Sequence, residues 1–164
     1  MIELLVLDVD GCLTDGKITY DANGIESKSF DVKDGLGIAT WIKMGKKVAI
    51  ITGRKSSIIE KRAKELQIPY LFQGIRNKKE VLDTLLDELN IDYSQVAAIG
   101  DDLNDYKMLK SVKISFTPQN GSNYIKSIVD IVLEKDGGNG AVREMIEYII
   151  KKYKLEKRFL ENWT

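Results

Sequence analysis

Asp8 and Asp10 stand two residues apart, directly after the apolar run of residues 2–7. Side chains at that spacing on a strand end project to the same side. Two carboxylates held close repel, which raises the pKa of one, so one can hold a proton while the other is ionised. That arrangement suits a nucleophile paired with a general acid, given a cation that keeps the nucleophile ionised. The blander reading is a pair of turn residues that ends a strand. The chain has no histidine and one cysteine, Cys12, so neither a Ser-His nor a Cys-His nucleophile is available. Aspartate is then the natural covalent nucleophile.

Asp101, Asp102 and Asp105 supply further carboxylates within five residues, again after an apolar run, 96–99. A solvated acidic turn that caps a helix would look the same. Beside the first pair, the cluster points to a Mg²⁺ site, because Mg²⁺ takes oxygen ligands from a couple of carboxylates and several waters. Thr52 follows the apolar run 47–51, and Lys78 opens a helical pattern. A hydroxyl donor and a point positive charge suit phosphoryl oxygens; alternatively Thr52 is a helix cap and Lys78 a surface lysine. The loop Gly137-Gly138-Asn139-Gly140, with Arg143 shortly after, either presents backbone N–H groups to an anion or is a plain flexible loop.

The elements that must position these groups alternate in type. Residues 2–7, 47–51, 68–72, 96–99, 113–116 and 131–133 read as strands, buried on both faces where the apolar runs are continuous. Residues 36–44, 57–66, 78–89 (capped by Asn77), 104–110, 122–127 and 141–152 read as helices. That rhythm predicts an α/β fold, a doubly wound parallel sheet with helices on both faces. Ligands of such sheets bind beyond the carboxyl ends of the strands, and each acidic or Thr-Gly cluster falls at such an end. One hairpin interrupts the rhythm at residues 17–30, around Asn23-Gly24.

Composition narrows the function further. One domain accounts for 164 residues, with the hairpin as an appendage and residues 153–164 as a C-terminal tail. Twenty-five Lys and Arg balance twenty-five Asp and Glu, which argues against a general nucleic-acid binder. A single cysteine excludes an internal disulfide, and the absence of histidine excludes His-ligated zinc. No apolar run approaches the roughly 20 residues of a membrane span, and no secretory signal is visible, so a cytoplasmic protein is expected. Gly35-x-Gly37 lacks the rest of a dinucleotide fingerprint, and no GxxxxGK[ST] loop occurs. Cys12 reads as a small packed side chain. The basic stretch 151–158 reads as a solvated helix end, followed by Phe159 and Trp163, which are expected to dock.

Four segments together resemble the motifs of the haloacid dehalogenase superfamily of phosphatases: Asp8-Val9-Asp10-Gly11, Ile50-Ile51-Thr52-Gly53, Gln73-Gly74 through Lys78, and Gly100-Asp101-Asp102-Leu103-Asn104-Asp105. Within it the chain is most similar to the 3-deoxy-D-manno-octulosonate 8-phosphate (KDO-8-phosphate) phosphatases. The segments Asp15-Gly16, Phe30-x-Val32-x-Asp34-Gly35 and Gly137 through Glu144 carry that closer likeness.

The resemblance implies a Rossmann-like sheet without a cap domain. It implies that Asp8 attacks phosphorus and that Asp10 protonates the leaving alcohol, then deprotonates water. Thr52 and Lys78 would hold the phosphoryl oxygens. Asp8, Asp101 and the backbone carbonyl of Asp10 would bind Mg²⁺, and Asp102 or Asp105 would orient Lys78 or metal-bound water. It further implies a homotetramer built through the hairpins, each site covered by a neighbour. The tail around Phe159 and Trp163 is a candidate for folding over a site. Thr52, Gly53, Arg54, Arg62, Lys78 and Arg143 are the expected substrate contacts, with Arg54, Arg62 and Arg143 suited to a sugar carboxylate; Arg62 also reads as a helix-surface residue. Arg54 favours the eight-carbon acid, since relatives acting on 2-keto-3-deoxynononate 9-phosphate tend to carry glutamate there. Tyr70-Leu71-Phe72-Gln73-Gly74 fits the nine-carbon group equally well.

Two other classes compete. A receiver-type phosphoacceptor module shares the sheet, aspartate, Mg²⁺, hydroxyl and lysine, but its acidic pair precedes the phosphorylated aspartate on another strand. A catalytically idle partner domain would not need the complete residue set.

Overall fold

The computed structural model describes all 164 residues. In chain order the elements are β1 (Leu4–Leu7), β2 (Thr19–Tyr20), β3 (Glu26–Ser27), α1 (Val32–Lys43), β4 (Lys47–Ile51), α2 (Ser57–Glu65) and β5 (Tyr70–Phe72). There follow α3 (Lys78–Leu89), β6 (Val96–Ile99), α4 (Tyr106–Leu109), β7 (Ile114–Thr117), α5 (Asn123–Lys126), β8 (Ile131–Val132), α6 (Ala141–Lys152) and α7 (Glu156–Leu160). Six strands form one parallel sheet in the order β5-β4-β1-β6-β7-β8, and β2 pairs with β3 as a separate antiparallel hairpin.

Alternation along the strands divides the interior into two layers. Leu5, Leu7, Val48, Ile50, Ala97 and Ile99 face α1, α2 and α6, where Ile38, Trp41, Ile59, Met145, Ile146 and Ile149 complete one core. Leu4, Val6, Ala49, Ile51, Val96 and Ala98 face α3, α4 and α5 through Leu82, Leu85, Leu86, Met108 and Ile125. Burial on both faces explains why these strands read as unbroken apolar runs.

The chain winds outward from β1 through β4 to β5, then crosses back to place β6 on β1's other side. This reversal opens a crevice at the carboxyl ends of β1, β4 and β6. Asp8 and Thr52 directly follow β1 and β4, and Asp101 follows β6 after Gly100.

Several boundaries differ from the sequence reading. Helix α1 begins at Val32, not residue 36, because Asp31 caps it by accepting N–H bonds from Lys33 and Asp34. The helix expected over 104–110 is a 3₁₀ turn, Leu103–Asp105, followed by the single turn α4. The Asp105 carboxylate folds back to accept from the N–H groups of Asp101 and Asp102, which holds the segment tight. The hairpin strands are two residues each, and no helix is long and apolar enough to cross a membrane.

The tail does dock, but on its own chain. The basic stretch does not continue α6, which ends at Lys152. Lys154 turns at φ 56°, and α7 returns across α1. Phe159 is buried in the core, Arg158 donates to the Met44 carbonyl, and Trp163 Nε1 donates to Thr40 Oγ1 at 3.0 Å. Neither Phe159 nor Trp163 lines the crevice of this chain.

Candidate active site

The sharp turn after β1 builds one wall of the crevice. Gly11 takes φ +94°, and a Cβ there would lie 2.0 Å from Asp101 Oδ2, so glycine is required for both conformation and space. The glycine loop before α6 supports this turn from behind. A Cβ on Gly137 would lie 1.8 Å from the Gly11 carbonyl oxygen, and Gly138 N–H donates to the Cys12 carbonyl at 3.0 Å. The loop therefore acts as a backing for the acidic turn.

Asp8, Asp10, Thr52, Gly53, Arg54, Asp101, Asp102, Gly16 and Asn104 line one cavity of about 240 Å³. The structure thus brings together the acidic pair, the Thr-Gly-Arg segment and the second acidic cluster. Thr52 is buried at the end of β4 and caps nothing; the cap of α2 is Ser56, whose hydroxyl accepts from Ile58 N–H. Lys78 is no surface lysine. As the first residue of α3 it runs inward with its side chain fully buried. Its Nζ donates to Asp8 Oδ1 and to Asp105 Oδ1, each at 2.6 Å. Asp105 orients the lysine, whereas Asp102 caps the 3₁₀ turn through Leu103 N–H.

Electrostatics here differ from the expected Asp8–Asp10 repulsion. Burial, then the charges of Asp105 and Asp101, push the Asp8 carboxyl well above the usual carboxylate range, against the pull of Lys78. Burial and the charges of Asp105 and Asp102 likewise raise Asp101, whose carboxylate lies close to that of Asp8. Burial works against the Lys78 ammonium, but Asp8 and Asp105 outweigh it and hold that group above the lysine range. Lys78 stays charged, and one ammonium cannot neutralise Asp8, Asp101 and Asp105 together. The carboxylates are therefore short of positive charge, not the lysine of negative. Asp10 is paired elsewhere: Lys28 Nζ donates to Asp10 Oδ1 at 2.5 Å.

A hard divalent cation fits the deficit. One ligand atom each from Asp8, Asp101 and Cys12 lie within 4.8 Å of one another. The carboxylate oxygens suit such a cation. Burial, followed by the charge of Asp8, raises the Cys12 thiol well above its usual range, so it remains a neutral packed group, as the sequence suggested.

Arg54 is in the cavity wall, where it pairs with Glu26 Oε1 at 3.1 Å. Arg62 and Arg143 are not brought to this cavity. Arg62 lies over the Phe30 ring and against Gly35, near Glu65. Arg143 turns along α6 to Glu147 at 2.7 Å and faces Phe159 of the tail. Lys28, Glu26 and Asn104 were missed; nothing in the hairpin's residue pattern marks Lys28 as inward-facing.

The family model for haloacid dehalogenase-like hydrolases matches residues 70–146. The chain is 39% identical over 150 residues to the 3-deoxy-D-manno-octulosonate 8-phosphate phosphatase KdsC of Haemophilus influenzae, across 92% of this chain and 83% of that protein. It is 41% identical over 149 residues to KdsC of Escherichia coli K12, across 91% of this chain and 79% of that protein. The crystal structure of the same phosphatase from Moraxella catarrhalis, in complex with magnesium ion, phosphate ion and KDO, superposes with a TM-score of 0.95. That match has 40% identity and covers 99% of this chain and 94% of the other. A doubly wound sheet, paired aspartates at its switch point and likeness over almost the whole chain agree: this chain belongs to the haloacid dehalogenase-like hydrolases, in the family of the KDO-8-phosphate phosphatases.

Proposed function

We propose that this protein is a Mg²⁺-dependent phosphatase that hydrolyses KDO-8-phosphate to KDO and inorganic phosphate through an aspartyl-phosphate intermediate. The observation that carries the reading is the convergence of Asp8, Asp10, Thr52, Arg54 and Asp101 on one cavity, with Lys78 bonded to Asp8 beneath it.

An Asp8 carboxylate oxygen attacks phosphorus, and the ester P–O bond breaks. The proton of the Asp10 carboxyl passes to the leaving oxygen, which departs as the sugar alcohol. Asp10, now ionised, takes a proton from water as that water's oxygen attacks phosphorus. The bond from phosphorus to Asp8 then breaks, which releases phosphate and restores the Asp8 carboxylate. Lys78 and the Thr52 hydroxyl stabilise charge on the phosphoryl oxygens. Mg²⁺, held by Asp8, Asp101 and the Asp10 carbonyl, supplies charge neutralisation when bound.

Arg54 offers a planar fork to the sugar carboxylate and favours the eight-carbon acid over a nonulosonate 9-phosphate. Ile18, Tyr20 and Ile25 expose apolar surface on a hairpin with open edges, which supports a homotetramer joined through it; a monomer by light scattering contradicts that assembly. The test of function is phosphate release with Mg²⁺ from KDO-8-phosphate and 2-keto-3-deoxynononate 9-phosphate in parallel. A higher kcat/KM for the first is expected. Preference for the second overturns the substrate, and inactivity on both overturns the function.

A further inference from the structure

The hairpin carries one residue that does not behave like its neighbours. Thr19, Tyr20 and Ser27 are exposed, yet the Lys28 side chain, immediately after β3, is 1% exposed. Its Nζ lies 2.5 Å from Asp10 Oδ1 and 3.2 Å from Glu26 Oε1. Glu26 Oε1 also meets the Arg54 guanidinium at 3.1 Å. Charges therefore alternate along a continuous row, Asp10–Lys28–Glu26–Arg54, and both ends of the row line the cavity.

Burying an ammonium is costly unless it is paired and hydrogen-bonded. A lysine just past an exposed two-residue hairpin strand has open water beside it, so its burial against Asp10 needs a reason. The pair occupies Oδ1 of Asp10, a residue that lines the cavity, and leaves Oδ2 outside that contact. We infer that Lys28 is a positioning residue for Asp10, fixing that carboxyl for proton transfer, with Glu26 clamping Lys28 and tying it to Arg54. Its role rests on the phosphatase reading above. The appendage then belongs to the proton-transfer machinery as well as to the surface.

The test compares esters that differ in their need for an acid. An alkyl phosphate, KDO-8-phosphate (glycerol phosphate if the sugar acid is refused), has a poor leaving group; p-nitrophenyl phosphate has a good one. In Lys28→Met, kcat/KM for the alkyl ester is expected to fall about tenfold to hundredfold, a fraction of what acid–base catalysis supplies. The aryl ester is expected to lose less than about threefold, and Lys28→Arg to recover most of the alkyl activity. In an Asp10→Asn background, Lys28→Met is expected to add almost nothing, because residues acting through one group do not multiply their losses. Equal losses on both esters, or losses that multiply with Asp10→Asn, overturn the role and leave the phosphatase function standing. A wild-type protein inert toward every ester overturns both. If Lys28→Met fails to fold, Glu26→Gln retains the lysine and loosens its clamp; it is expected to give the same ester discrimination at smaller size, and uniform losses there overturn the role.

Discussion

Lys78 Nζ lies 2.6 Å from Asp8 Oδ1 in a pair closed to water, and its other partner is the fully buried Asp105. A buried charge pair contributes little net stability, but removing one partner leaves the rest uncompensated. In the proposed reaction the same ammonium would also face the transferring phosphoryl group.

Lys78→Met is therefore expected to lower stability by about 3 kcal/mol in the absence of divalent cations. It is also expected to reduce kcat by more than about a hundredfold, the scale of one lost oxyanion donor. Urea denaturation and phosphate release check the two effects separately. The stability loss shrinks on acidification, since the raised Asp8 and Asp101 carboxyls then take up protons and no longer need the ammonium.

Divalent cation binding relieves the same crowding. Free Mg²⁺ at about 100-fold above its dissociation constant stabilises by about 2.7 kcal/mol, or about 5–10 °C in melting temperature for a domain of this size. Asp101→Asn is expected to lose most of that shift while melting no lower than the wild type without metal. Thermal melts with Mg²⁺ and with a chelator decide this; an undiminished shift in Asp101→Asn removes Asp101 from the cation site.

Away from the cavity, Asp34 in α1 accepts Arg143 N–H at 2.7 Å at the start of α6, whose own cap, Gly140, has no side chain to offer. Its Oδ2 is buried without a partner, and burial pushes the carboxyl from 3.8 up to about 6. An acid raised on folding binds more protons in the native state. Stability is thus highest below pH 3.8 as far as this group is concerned and falls as pH rises towards about 6. The penalty reaches about 3 kcal/mol above that window. Asp34→Asn keeps an acceptor for Arg143 and is expected to flatten the stability–pH curve in the same window. Parallel curves for the two proteins contradict the assignment.

Strands β4 and β6 and helices α3 and α6 were legible in the sequence because apolar runs and periodic faces set their limits. The acidic pair, Thr52 and Asp101 were legible because polar residues at strand ends of a doubly wound sheet fall at one edge. Asn77 was a readable cap, and its side chain does accept from Glu80 N–H. What remained hidden depends on contacts distant in sequence. Lys28 reaches Asp10 across 18 positions from just beyond the two-residue β3, so no periodic signal announces it. Asp105 was expected in a helix, but its bonds to Lys78 and to two backbone N–H groups outweighed the helical pattern. Arg143 had the right chemistry for a carboxylate and the wrong direction, turned along α6 towards Glu147.

In the proposed reaction Asp8 becomes covalently phosphorylated. The most direct test is a single turnover with Mg²⁺ and KDO-8-phosphate, quenched in acid, reduced with borohydride and mapped by mass spectrometry. Conversion of residue 8 to homoserine, abolished in Asp8→Asn, is the expected result, because borohydride reduces an acyl phosphate and spares a free carboxylate. Full turnover with residue 8 unmodified, or with the modification on another side chain, contradicts the claim.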